Sequence, residues 1–246
     1  MNEPIVLAIE TATPGASVCL ATPTGVVSSC GVGTGLPGQG RVHGSFLMPA
    51  IRWCLENAGS QGRPVEPSTI SAIAVDLGPG LFTGLRVGIT GAQVYAQTLG
   101  IPMVGAQSLT VLAARLGHVD EPVLVAIDGR RNQVFWGISY GFGQPVDIRL
   151  SHPDELIAVA TEHPGIRCVG GGSLLVGEQL RAAGARLEPA SWAHPEATQL
   201  ADVVMADVLA GNTVPAGGLE PIYGRAPDAQ ITWSDRGKLQ GGKADK

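Results

Sequence analysis

Two stretches of this chain echo each other. Val6-Leu-Ala-Ile-Glu-Thr11 is an apolar run ending in acidic and polar residues, and a Pro14-Gly15 turn leads it into Ser17-Val-Cys-Leu-Ala-Thr22. Val123-Leu-Val-Ala-Ile-Asp128 repeats the pattern, and Gly129-Arg-Arg-Asn132 leads it into Gln133-Val-Phe-Trp-Gly-Ile-Ser139. Short apolar runs bounded by turn residues read as buried strands with hairpin partners. Val26–Cys30 adds a third strand to the first set. Strand triplets followed by helix and strand, twice over, constrain the chain to α/β architecture with two similar halves. At 246 residues there is ample core for this. With 35 Gly, 18 Pro and only 15% charged residues, the composition suits compact structure with many tight turns.

Between the echoes lies Asp76-Leu-Gly-Pro-Gly-Leu-Phe-Thr-Gly-Leu-Arg-Val-Gly88. It follows the strand-like Ile73–Val75 and passes through Gly78, Pro79 and Gly80 into a helix-like stretch, 84–99, stopped by Gly100 and Pro102. A strand, a glycine turn and a helix N-terminus make a ready anion site. Both standard phosphate fingerprints fail, however. No lysine follows the loop, and Thr83 stands where a dinucleotide fingerprint has glycine, which arrives at Gly84. The loop is therefore expected to be a packing and positioning device, with Gly80 and Gly84 needing positive φ or close approach. Arg86, in the first helical turn, opposes the helix dipole. It reads either as solvated or as holding an anion or a partner across an interface.

Residues 45–58 also read as a helix, with Leu47, Ile51, Leu55 and Ala58 on one stripe and Phe46, Ala50, Trp53 and Cys54 elsewhere. In 84–99, Leu85, Ile89, Ala92 and Ala96 share a face, while Val87, Gly91, Val94 and Tyr95 surround it. Such surplus apolar surface means burial between core elements or a dimerisation surface. Further helices are expected from Ser108, as N-cap, to Leu116, and over 153–160, 174–183 and 199–210. Gly31–Gly40 reads as a connector, and Gly170-Gly171-Gly172 as a strand-to-helix turn.

The segment Gly78–Gly88 resembles the signature of the TsaB (YeaZ) family, which belongs to the bacterial machinery making threonylcarbamoyladenosine in tRNA. Ile9-Glu-Thr-Ala-Thr13 resembles the family's first hairpin, Ile127-Asp128-Gly-Arg130 the start of its second half, and Pro221-Ile-Tyr-Gly-Arg225 its C-terminal motif. The motifs lie in order over roughly nine-tenths of the chain. The resemblance implies the actin-like ATPase (ASKHA, ribonuclease H-like) fold, with an N-terminal half over 1–106 joined by the helix near 199–210. A C-terminal half over 107–225 and a disordered tail over 226–246 complete the expected division.

The resemblance also implies a glycine loop of Gly78, Pro79, Gly80, Phe82, Thr83, Gly84, Arg86 and Gly88. It implies a dimer interface of His43, Phe46, Leu47, Ala50, Ile51, Cys54, Gly84, Val87, Gly91 and Val94. The implied role is a non-catalytic scaffold that pairs with a TsaD-like catalytic paralogue and supports a TsaE-like ATPase. It would form a homodimer when that paralogue is absent and meet tRNA through the complex. The alternative is an active ATP-binding and hydrolysing enzyme of the actin-like superfamily.

The residues bear on that choice. In an ATPase of this fold, carboxylates at the ends of the central strands serve nucleotide chemistry. Glu10 and Asp128 stand there, but Ala12 replaces an expected glycine, and Arg130 and Arg131 crowd the second hairpin. Glu10, Thr11, Asp128, Gly170 and Gly171 thus form at most a vestigial nucleotide site, with carboxylates capping turns as the equal alternative. No cofactor is expected, with ATP or ADP only as a residual possibility. No metal site is expected either, because no two of His43, His118, His152, His163 and His194 lie three to five residues apart. The TsaD-like paralogue carries a His-x-x-x-His site, whereas Leu47 stands four residues after His43. No Gly-x-Ser-x-Gly motif occurs. Four cysteines without Cys-x-x-Cys spacing suit a reduced cytoplasm. No signal peptide or membrane span is expected. A net charge of −5 disfavours direct tRNA binding.

Overall fold

The computed structural model describes residues 3–33, 43–58 and 64–224, and for His43 the backbone alone. Arg225, the expected tail and residues 34–40 of the expected connector lie outside them. Gly31 and Val32 belong to a strand.

The echo in sequence becomes an echo in topology. The first sheet contains β1 (Ile5–Glu10), β2 (Ala16–Thr22), β3 (Gly25–Val32), β4 (Ile70–Asp76) and β5 (Met103–Ala106), in the order β3-β2-β1-β4-β5. The second contains β6 (Val123–Arg130), β7 (Gln133–Ser139), β8 (Arg149–Ser151), β9 (Arg167–Val169) and β10 (Arg186–Leu187), in the order β8-β7-β6-β9-β10. Each is an antiparallel three-strand meander whose first strand also pairs, in parallel, with a later one. The fold is therefore a duplicated actin-like α/β fold.

Both faces of each sheet are covered, which is why the central strands are apolar throughout rather than alternating. Helices α1 (His43–Glu56) and α2 (Phe82–Leu99) lie side by side on one face of the first sheet. There Leu47, Ile51, Cys54, Ile89, Ala92 and Ala96 meet Leu7, Ile9, Val18, Leu20 and Ile73. α3 (Ser108–Ala113) sits between the halves, with Val111 in the core of the first sheet and Leu109 and Leu112 in that of the second. α4 (Asp154–Glu162), α5 (Gly171–Leu174) and α6 (Gly177–Ala182) serve the second half. α7 (Ala197–Ala210) returns to the opposite face of the first sheet through Leu200, Ala201 and Val204. No helix of the described residues is long and apolar enough to cross a membrane.

Two expectations change. The N-cap of α3 is Gln107, because the Ser108 hydroxyl donates to Asp76 instead. The helix expected over 174–183 is broken at Leu175–Val176 into α5 and α6.

The β6–β7 hairpin turns through two residues, Arg131 (φ 55°) and Asn132 (φ 56°), after a register shift at Arg130 (φ 63°). Such a turn demands the left-handed region at both central positions, which asparagine tolerates and arginine does not favour. Arg131→Asn should therefore stabilise the protein by about 0.5–1 kcal/mol, raising the thermal midpoint by roughly 1–4 °C. Calorimetry of the two proteins checks this.

Candidate functional site

β1 and β4 are neighbours in register, with Ile9 opposite Val75, so Glu10 and Asp76 end side by side. Both are buried. Glu10 Oε1 accepts from the Ala12 amide at 2.8 Å. Asp76 Oδ1 accepts from the Gly78 amide at 2.7 Å and from the Ser108 hydroxyl at 2.6 Å. The remaining oxygens, Glu10 Oε2 and Asp76 Oδ2, are buried with no hydrogen-bond partner among the described residues, and the two carboxyls act on each other electrostatically. Burial raises the pKa of both, and the neighbouring Asp76 carboxylate pushes Glu10 higher still. Sequence reasoning gave Asp76 no role, since nothing in its spacing from Glu10 announces that the two strands are adjacent.

The glycine loop is built onto this pair. Gly78 has φ +101°, and its carbonyl accepts from the Ser108 amide at 2.8 Å. The Leu81 amide donates to the Ala12 carbonyl at 2.6 Å. A Cβ on Gly80 would strike that carbonyl, and one on Gly88 would strike the Thr11 hydroxyl, which donates to the Gly84 carbonyl at 2.9 Å. Positive φ thus falls at Gly78 rather than at Gly80 or Gly84, and a Cβ would meet neighbouring atoms at Gly78, Gly80 and Gly88. Pro79 has no amide hydrogen, and the Gly78 and Leu81 amides are taken up by Asp76 and Ala12.

On the outer face of α2, the Arg86 guanidinium lies 4.1 Å above the Phe82 ring and its Nε donates to the Tyr223 hydroxyl at 3.1 Å. The two rings sit 5.2 Å apart. Arg86 is thus held within the chain by Phe82 and Tyr223 rather than freely solvated. Of the expected interface residues, Leu47, Ala50, Ile51, Cys54 and Gly84 are buried in the chain's own core. Phe46 and Val87 are partly buried against it. Gly91 backs onto Leu47, while Val94 is 58% exposed. The correction has a simple cause. Two helices side by side on a broad sheet bury their flanks as well as their stripes. The surplus apolar surface is carried by Met48, Trp53, Phe82 and Val94.

The gap between the halves is crossed by the chain itself. The Ala193 carbonyl accepts from the Gly171 amide at 2.8 Å, and the His194 ring packs on Gly15. Arg115 fastens this crossing segment, donating to the His194 carbonyl at 3.1 Å and pairing with Glu196 at 2.8 Å. Beside it a cavity of about 410 Å³ is lined by Gly15, Ser17, Cys30, Ser191, His194 and Thr198. Burial, then the charges of Arg115 and Arg130, lower the pKa of His194. Asp128 pairs with Arg130 at 3.2 Å, and Gly170 has φ +102° against the Ala126 carbonyl. Glu10 and Thr11 are turned toward Asp76 and α2, so they do not join Asp128, Gly170 and Gly171 around one cavity. Among the described residues no cluster of three or more His, Cys, Asp or Glu is arranged to hold a metal. Sequence reasoning missed the segment Ala190–Glu196 altogether, since it has no periodicity to mark it.

Comparison with known proteins adds the following. The family model described as "TsaD: tRNA N6-adenosine threonylcarbamoyltransferase" matches residues 39–163. An uncharacterised protein of Mycobacterium tuberculosis is 34% identical over 131 residues, 53% of this chain and 57% of that protein. The chain thus spans little more than half of that relative. The tRNA threonylcarbamoyladenosine biosynthesis protein TsaB of Escherichia coli K12 is 28% identical over 233 residues, covering 89% of this chain and 93% of that protein. Among solved structures, YeaZ from Pseudomonas aeruginosa aligns with a TM-score of 0.70 at 29% identity, over 89% of this chain and 99% of that one. A second Pseudomonas aeruginosa structure, described as similar to peptidase YEAZ, gives 0.73 at 27% identity, over 90% and 100%.

Gly80→Ala should cost about 2–3 kcal/mol, because the methyl group meets backbone that has nowhere to go. Gly44→Ala, whose Cβ points into open space, should be neutral or stabilising. Chemical denaturation of both variants distinguishes these outcomes. The depressed pKa of His194 fixes a second sign. Its contribution to stability is full above its ordinary value of about 6.5 and declines as pH falls below it. In His194→Asn that decline should disappear from denaturation midpoints measured against pH.

Proposed function

The chain belongs to the TsaB (YeaZ) family, and from that membership we propose that it is a non-catalytic subunit of the machinery that makes N6-threonylcarbamoyladenosine in tRNA. It pairs there with a TsaD-type catalytic subunit and supports a TsaE-type ATPase. In the absence of the catalytic subunit it forms a homodimer, and tRNA reaches it through the complex. One observation carries the non-catalytic reading. Glu10, the carboxyl at the end of the first central strand, is closed off beside Asp76 instead of facing the gap between the halves. The crossing of that gap by Ala193 and His194 supports the same reading.

The face of α1 and α2 turned away from the sheet is the pairing surface. Exposed Met48, Trp53, Phe82 and Val94 give it apolar character that a monomer rarely leaves uncovered. Homodimer and heterodimer compete for it, so the homodimer dissolves when the catalytic subunit is added.

Tagged protein recovered from its host should bring down a protein with a His-x-x-x-His motif. Its repeated absence would overturn the assignment of the partner. Val94→Asp should weaken both assemblies at least tenfold, on the scale of burying an unpaired charge, and leave the monomer folded. Size-exclusion chromatography with light scattering, alongside circular dichroism, tests this. Pairing at wild-type affinity would move the surface elsewhere.

A further inference from the structure

The ends of β1 and β4 bring two acids together with no cation beside them among the described residues. Glu10 is 0% exposed and Asp76 2%. The site is closed by Ser17 of β2, opposite Glu10 in register, by Ser108 of α3, and by Ala12 and Thr13 of the hairpin. Above it, the first turns of α2 rest on Thr11 through the Gly84 carbonyl. None of these is titratable, and among the described residues no arginine, lysine or histidine acts on either acid. Ionising both of two carboxyls buried side by side at adjacent strand ends is strongly disfavoured. With one proton between them, repulsion becomes a charge-assisted hydrogen bond.

This pair also sits where three segments converge. Glu10 holds the Ala12 amide, and the Ala12 carbonyl holds the Leu81 amide. Asp76 holds the Gly78 amide and the Ser108 hydroxyl. The first hairpin, the glycine loop and the start of α3 are therefore joined through one contact between two side chains.

We propose that Glu10 and Asp76 share a single proton, and that this proton is a latch. While it is bound, the hairpin, the glycine loop and α3 are held at one point. When it leaves for solvent as pH rises, two like charges face each other, the strand ends part, and the loop and first turn of α2 loosen. That turn carries Phe82 and Arg86 and their contacts with Tyr223, so the outer surface changes with it. The latch is a property of the fold and stands apart from the assembly proposed above, because its test reads folding and exchange rather than pairing.

The sign follows from the raised carboxyl values. The latch contributes fully below the ordinary carboxylate range, about pH 4, and its contribution is lost as pH rises through the folded-state value. In Glu10→Gln, the amide can still accept from Ala12 and donate to Asp76, with no proton to lose. Thermal unfolding of both proteins from about pH 5 to about pH 9 should then give diverging midpoints, the wild type falling relative to the variant by roughly 3–5 °C per pH unit until the proton is gone. Over the same range, amide exchange at Gly78 and Leu81 should accelerate in the wild type and not in the variant. Infrared spectra at neutral pH should show a protonated-carboxyl carbonyl band that Glu10→Gln removes. Parallel midpoint profiles overturn the latch. Absence of that band from the wild type, a measurement that needs no folded variant, overturns it as well.

Discussion

The contact between the ends of two parallel strands governs the rest of this structure. Glu10 and Asp76 meet there, and everything that gives the first half its shape is fastened within a few residues of them. The Ala12 carbonyl receives the Leu81 amide at 2.6 Å, and Gly80 passes so close to that carbonyl that no side chain fits. The direction in which α2 leaves the sheet is set by this crossing. α2 in turn sets the place of α1, through Gly91 against Leu47, and the two helices together make the outer face. A buried pair of acids is a costly foundation unless each oxygen is satisfied. Here one oxygen of each acid takes backbone or hydroxyl donors, and the other has no donor among the described residues, the place the proposed shared proton would fill.

The second half repeats the topology without repeating this contact. Asp128, two residues before the end of β6, is partly exposed and pairs with Arg130 on its own hairpin. The two halves are then joined by elements belonging to both. α3 gives Val111 to one core and Leu109 and Leu112 to the other. The segment leading into α7 lays Ala193 and His194 across the gap.

Much of this was legible in the sequence, and the remainder was hidden for physical reasons. The strand sets around Val6 and Val123 announce themselves because buried strands are continuous apolar runs closed by turns. The glycine loop announces itself through residue types that tolerate unusual backbone. Its mechanism was harder to read. Positive φ at Gly78 and steric closeness at Gly80 look alike in a string of letters, and only coordinates separate them. Asp76 was visible as the end of a strand, but its partner lies far away in sequence and becomes a neighbour only through the order β3-β2-β1-β4-β5. Ala50 and Cys54 were misplaced outward because helical periodicity cannot count how many neighbours a helix will have. Ser108 has the side chain of a helix cap, yet a buried carboxylate competes for its hydroxyl and wins.

The central claim is that the site where this fold would handle a nucleotide has been turned inward, leaving a partner surface as the working part. Titration of Mg-ATP into the isolated chain, followed by calorimetry and by release of phosphate, tests it most directly. The account predicts neither saturable heat nor turnover. Stoichiometric binding accompanied by hydrolysis would contradict it, and would mean that Glu10 opens toward the cleft.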